Sequence, residues 1–207
     1  MKNRQIIIVG TGRSGSGYLS KLLTLNGIMC GHEHSFNPSR HGPIQHPYQA
    51  DSSWLAVPYL DNYIHNTKIL HVVRDPIKVL ESLTTRGFFK TKIYRKVNDP
   101  GDKFYKFVEK FLPEINTIEC PVHTAIYFII HWSKMIEKAI GTQYYQLETD
   151  LPLLLDKLGI TNPKYYSDTK YNTNTSKSNK IKLDLKSLDN TYLKMLTLHR
   201  KNYGYKI

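Results

Sequence analysis

The chain has 207 residues, 40% of them hydrophobic and 12% aromatic, with 29 Lys and Arg against 17 Asp and Glu for a net charge of +12. This length fits one domain with a sizeable core, and the apolar content excludes a chain disordered throughout. No run approaches the roughly 20 consecutive apolar residues of a membrane-spanning helix, and the charge points to an anionic partner: nucleic acid, an acidic membrane surface, or a phosphorylated or sulfated small molecule.

In chain order, Ile6 to Val9 is a continuous β-branched run closed by glycines, the pattern of a strand buried on both faces of a parallel sheet. Ser16 to Leu25 carries Leu19, Leu22 and Leu23 at helical spacing and stops at Asn26-Gly27. Ile28 to Cys30 reads as a second strand and Lys68 to Val73 as a third. Between them, Asp51 to Pro58 runs from polar to apolar and fits either state, with Trp54 read as a core aromatic or as a stacking surface for a ring. Pro76 to Thr85 reads as a helix with Asp75 as its cap. A basic stretch from Arg86 to Lys110 interleaves eight Lys or Arg with aromatic residues and reads as a solvated helix face with an apolar back.

Thr124 to Ile140 is a long apolar helix, Gln143 to Leu147 a strand and Leu151 to Leu158 a helix. Residues 164 to 182 form a basic, polar stretch expected to be a flexible loop, and a C-terminal helix is expected over about 183 to 203. Strands alternating with helices imply an α/β fold with a mostly parallel sheet in a single domain spanning the chain. No tripartite secretory pattern opens the sequence, and Cys30 and Cys120 make neither a disulfide framework nor a CxxC pair, so a reducing cytoplasm is the expected location.

Gly10-Thr11-Gly12-Arg13-Ser14-Gly15-Ser16-Gly17-Tyr18 joins the first strand to the first helix. Such a turn gathers backbone N–H groups and the positive end of a helix dipole, which favours an anion. As a triphosphatase loop, GxxxxGK[ST], it has Gly10 and Gly15 but Ser16 and Gly17 in place of the lysine and the magnesium-binding hydroxyl. As a dinucleotide fingerprint, Gly10, Gly12 and Gly15 match GxGxxG, with Glu33 near the distance of a ribose-binding acid. In a third reading Arg13 supplies the cation, and Ser14, Ser16 and the backbone supply donors, for a phosphate-like group without a metal.

On these residues the sequence resembles the sulfotransferases that use 3'-phosphoadenosine 5'-phosphosulfate (PAPS), and among them the glycan-directed and bacterial members. Arg13-Ser14-Gly15-Ser16-Gly17 is similar to their 5'-phosphosulfate loop, with Gly17 in place of the usual hydroxyl residue and Tyr18 where many carry an aromatic. The second signature, a strand ending in Arg-Asp-Pro with a serine eight residues after the arginine, is matched by Arg74-Asp75-Pro76 and Ser82. The resemblance implies a three-layer α/β/α fold of the P-loop nucleotide-kinase kind. It also implies a 5'-phosphosulfate held by Gly12, Arg13, Ser14, Gly15, Ser16, Gly17 and Tyr18, and a 3'-phosphate held by Arg74 and Ser82. Guanidinium suits bidentate phosphate binding better than an ammonium does.

The implied reaction moves the sulfuryl group from PAPS to a hydroxyl or amine, releases adenosine 3',5'-bisphosphate, and needs a base but no metal. Gly31-His32-Glu33-His34 follows the second strand and offers three bases; Glu33 is preferred, then His34, then His32, with Arg13 completing the catalytic set. A metal site on His32 and His34 with His41 or His46 matches no established spacing. Two rivals stand beside this reading. An NAD(P)-binding Rossmann protein leaves the Arg74 and Ser82 spacing unused; a basic nucleic-acid-binding module accounts for the charge but lacks any recognition signature.

Overall fold

In the computed structural model the described residues are 5–89, 100–165 and 181–206. They form an α/β structure with a mostly parallel five-stranded sheet flanked by helices. Strands β1 (Gln5–Val9), β2 (Cys30–His32), β5 (Ala50–Ser52), β6 (Thr67–Val73) and β7 (Tyr145–Gln146) line up in the order β2-β5-β1-β6-β7, and every pairing in that sheet is parallel. A small antiparallel pair, β3 (Phe36–Asn37) with β4 (Arg40–His41), lies apart from it. Among the described residues no helix is long and apolar enough to cross a membrane.

Chain contacts divide the protein into two compact units, one made of Met1–Arg74 with Met135–Lys177 and the other of Asp75–Lys134 with Ser178–Ile207. The first holds the sheet. Ile8, Leu70 and Val72 from its central strands pack with Leu19, Leu22 and Leu23 of α1 (Ser16–Leu25) and with Leu154 and Leu155 of α5 (Leu151–Lys157). Helix α1 stops because Gly27 takes a left-handed φ of 86° and the Ile28 N–H turns back to the Leu23 carbonyl at 2.9 Å, a glycine-terminated helix end. With Ile28 engaged in that stop, the second strand starts at Cys30, two residues later than its sequence suggests.

Ala50–Ser52 is the strand that sequence pattern does not reveal. All three residues are buried, yet two are polar, so no apolar run marks them. From Ser53 onward the chain becomes a 3-10 helix, Trp54–Asn62, capped by the Ser53 side chain, which accepts from the Leu55 N–H. The segment from 51 to 58 is therefore strand and helix in turn. Strand β7 is shorter than the expected 143 to 147: the Gln146 N–H bonds the Asp150 carboxylate at 2.8 Å, which turns the chain into α5.

The second unit is built on aromatic packing. Helix α2 (Pro76–Thr85) starts where expected, its cap Asp75 accepting from the Ile77 N–H at 3.0 Å. Phe107 of α3 (Pro100–Glu109) lies against Trp132 of α4 (Pro121–Ile140) at 6.2 Å between ring centroids, and Phe89 against Phe128 at 5.3 Å. The described aromatics of the basic stretch thus include core residues, while residues 90–99 of it lie outside the described residues, as do 166–180 of the basic loop. The C-terminal helix, α6 (Asn190–Asn202), begins later than expected. Asp184 caps a separate single turn, Leu185–Ser187, and Asp189 caps α6 itself through the Thr191 N–H; short acidic side chains favour such starts over continued helix.

Two polar contacts tie α6 down. Arg200 forks onto both Asp75 oxygens, at 3.1 and 3.2 Å. His199 is buried beside Ser133 Oγ at 3.5 Å, and burial, reinforced by Lys134, pushes its pKa down to about 4. Asp75→Ala should lower the urea midpoint more than Arg200→Ala, because it removes the ion pair and also a helix cap worth about 1 kcal/mol. The native state holds His199 neutral while the unfolded chain protonates it near 6.5, so stability should fall as pH drops from about 6.5 towards about 4. His199→Gln should reduce the difference in melting temperature between pH 7 and pH 5, measured by thermal denaturation; an unchanged difference would contradict this account.

Candidate functional site

The turn after β1 has almost no spare room. A β-carbon on Gly10 would lie 2.4 Å from the Val72 carbonyl oxygen and 2.4 Å from Ser14 Oγ. Ser14 is buried, and its hydroxyl donates to the Thr11 carbonyl at 2.6 Å, closing the turn on itself. Arg13 and Gly15 both take left-handed backbone, with φ of 74° and 97°. Glycine does this freely, whereas a residue with a β-carbon resists it by about 1–2 kcal/mol. Arg13 is held there by Arg74 at the end of β6, whose Nη1 donates to the Arg13 carbonyl at 3.2 Å. Gly15 precedes α1 without a side-chain cap, so the N–H groups of the first helical turn receive no cap oxygen from it.

Beside this turn stands the end of β2. The His32 ring faces α1: Nε2 is 3.1 Å from Ser16 Oγ, and a β-carbon on Gly17 would meet the ring at an ordinary 3.5 Å. His32 Nε2 is also 3.5 Å from Glu33 Oε1. Burial, with Arg13 and Lys21 nearby, pushes the His32 pKa down, so at neutral pH the imidazole is neutral and the contact with Glu33 is a polar contact rather than an ion pair. Serine and carboxylate both approach the same ring nitrogen, which differs from a Ser-His-acid relay, where the acid holds the opposite nitrogen.

Glu33 is half-buried and left-handed, with φ of 56°. Burial raises its carboxyl pKa, the Trp54 indole N–H and Arg13 favour the ionised form, and Asp51 adds to the rise. A carboxylate of raised basicity facing a cation can accept a proton near neutral pH. Cys30, by contrast, is not a nucleophile: burial and Asp51 push its thiol up to about 12.

The sequence-derived set is thus brought together in part. Gly12, Arg13, Gly15, Ser16, Gly17, His32, Glu33 and Arg74 all belong to the first unit, where Ser16 meets His32, Arg74 braces Arg13, and Arg13 lies close enough to act on the Glu33 carboxyl. Ser14 turns its hydroxyl inward, and Tyr18 packs on the apolar cluster beneath α1. His34 is exposed, with its ring against Tyr48 at 4.4 Å between centroids; His32 is the histidine beside the turn. Ser82 lies on α2 in the second unit. Trp54 is buried and offers its N–H to Glu33 instead of a ring face to a ligand. Asp51, which contacts the turn after β2, has no signal in spacing or composition that marks it out.

Among the described residues no group of three or more His, Cys, Asp or Glu is placed to hold a metal ion. Compared with known proteins, the chain matches no family model and no curated sequence.

Gly10→Ala should destabilise the protein by about 1–3 kcal/mol, since one of the two clashing atoms is main chain and cannot swing aside. Gly17→Ala, with open contact distances, should cost far less. Urea unfolding of the two variants side by side checks the difference.

Proposed function

We propose that this protein is a PAPS-dependent sulfotransferase that passes the sulfuryl group to an acceptor hydroxyl or amine, on a three-layer α/β/α scaffold of the P-loop nucleotide-kinase kind. The observation that carries the reading is the hydrogen bond from Arg74 to the Arg13 carbonyl: it joins the two arginine motifs, far apart in sequence, at one end of the sheet. Parallel α/β sheets bind ligands at that end, where the strand order switches direction from the central strand, and β1 is the central strand here.

The strand order also favours this reading over a dinucleotide fold. Numbered along the chain, the five sheet strands run 2-3-1-4-5, unlike the 3-2-1-4-5-6 of dinucleotide-binding domains. Strand β5 therefore separates Glu33 from the first strand, where a ribose-binding acid would have stood on the adjacent one.

Backbone N–H groups at the start of α1, together with Arg13 and Ser16, suit a phosphosulfate, and the planar fork of the Arg74 guanidinium, which has more N–H groups than the one on the Arg13 carbonyl, suits a second phosphate. PAPS supplies a sulfuryl group on a good leaving phosphate. Glu33 takes the acceptor proton as the acceptor oxygen or nitrogen bonds to sulfur and the sulfur–oxygen bridge breaks, the electron pair staying with adenosine 3',5'-bisphosphate. Arg13 and the first-turn N–H groups stabilise the charge that develops on that bridging oxygen. His32, neutral and bonded to Ser16, holds that side chain in place.

Calorimetry should find adenosine 3',5'-bisphosphate binding clearly tighter than adenosine 5'-phosphate, and Arg74→Ala should weaken it on the order of 10–100-fold. Sulfate transfer from labelled PAPS to a panel of glycans, amines and phenols should fall by roughly 10²–10⁴-fold in Glu33→Gln with bisphosphate binding retained. Because the Glu33 carboxyl is raised, the acid limb of the pH profile should lie above the ordinary glutamate range. Binding of NADH without any binding of the bisphosphate would sink the assignment.

A further inference from the structure

Asp51, at the middle of β5, is wholly shielded from solvent. Its two oxygens divide between consecutive main-chain donors: Oδ1 accepts from the His34 N–H at 3.2 Å and Oδ2 from the Ser35 N–H at 2.8 Å. The N–H of Glu33 itself goes to the carbonyl of the next strand residue, Ser52, at 3.3 Å. Three successive N–H groups, from 33 to 35, are thus gripped by two successive residues of one strand. The turn folds closely over the carboxylate: a β-carbon on Gly31 would lie 2.8 Å from Asp51 Oδ1 and 2.8 Å from the His34 β-carbon.

Within this turn Glu33 has a left-handed backbone that residues bearing a β-carbon resist. Such a conformation persists only where its surroundings over-determine it. We infer that Asp51 is a positioning residue: by binding the N–H groups of His34 and Ser35 it holds Glu33 left-handed, and so delivers the Glu33 carboxylate to Arg13 and the Trp54 indole. That this serves proton abstraction rests on the functional reading above; the positioning itself does not. A carboxylate wholly shielded inside a strand is costly unless its oxygens are hydrogen-bonded, and here main-chain N–H groups of the turn supply those bonds, which fits a residue retained for the N–H groups it orders. Burial raises its pKa, opposed by the N–H groups of Ser35 and His34. The titratable and charged groups around the Asp51–Glu33 pair are Arg13, Cys30, His32 and His34.

The chain has two tryptophans, so an indole-labelled NMR spectrum of the full protein contains a direct reporter. The Trp54 N–H signal, recognised as the one whose pH response disappears in Glu33→Gln, should titrate with Glu33. In Asp51→Asn, where an amide group faces main-chain N–H donors, that titration should lose most of its amplitude, not merely change its midpoint as removal of a neighbouring charge would. Retained amplitude overturns the inference. As a second readout, Asp51→Asn should lower the melting temperature less in the Glu33→Gly background, where the left-handed turn needs no enforcement; equal losses, or failure to fold in both backgrounds, count against it. Calorimetry with adenosine 3',5'-bisphosphate on the unaltered protein separates the two claims. A protein that ignores the nucleotide, but loses the Trp54 response on Asp51→Asn, refutes the sulfotransferase reading and keeps the role of Asp51.

Discussion

The Val72 carbonyl oxygen occupies the space that a side chain on residue 10 would need, and the geometry of the whole strand end follows from that approach. With Gly10 pressed against β6, the chain leaving β1 has to reverse within a few residues and enter α1 directly. The reversal is closed by the Ser14 hydroxyl on Thr11 and braced by Arg74 on Arg13. Both braces attach to backbone oxygens, so the turn is held rigid while Arg13 acts on the Glu33 carboxyl and Ser16 meets His32. Preorganised donors of this kind stabilise developing charge without having to reorient during a reaction.

The same economy appears on the other side of the site. His32, Glu33 and Asp51 are three titratable groups in a small space, and their environments pull them apart: the imidazole is pushed towards its neutral form and both carboxyls are raised by burial. Groups so separated can take different roles at one pH. Trp54 links them to the core, since a ring that fills space beneath the sheet end also directs its only donor at Glu33.

Much of this is legible in the amino-acid sequence itself. The β-branched run of β1, the leucine spacing of α1 and the Asp-Pro start of α2 each satisfy a local rule, and each element lies where that rule puts it. Arg13, Ser16, Glu33 and Arg74 were marked by motif and lie in one unit of the structure. What could not be read was of a different kind. Ala50–Ser52 is buried because it pairs between β2 and β1, with the Asp51 side chain bonded to the turn after β2, and nothing in three small or polar residues announces those partners. In an extended run His32 and His34 would share a face; the left-handed backbone of Glu33 and the bond of the His34 N–H to Asp51 end that run, leaving His32 beside Ser16 of α1 and His34 against Tyr48. Tyr18 and Ser14 carried motif roles, but apolar packing and a local main-chain bond claim their side chains.

Cys30 has a use that lies outside catalysis. Its thiol is buried in the edge strand beneath α1 and held protonated well above physiological pH, whereas the other cysteine, Cys120, is partly exposed. An alkylating reagent therefore meets one thiol on the closed molecule, and a second only when β2 lifts from the sheet. Two cysteines of such unequal reactivity make the chain its own gauge of edge-strand opening, with no label or engineered residue added.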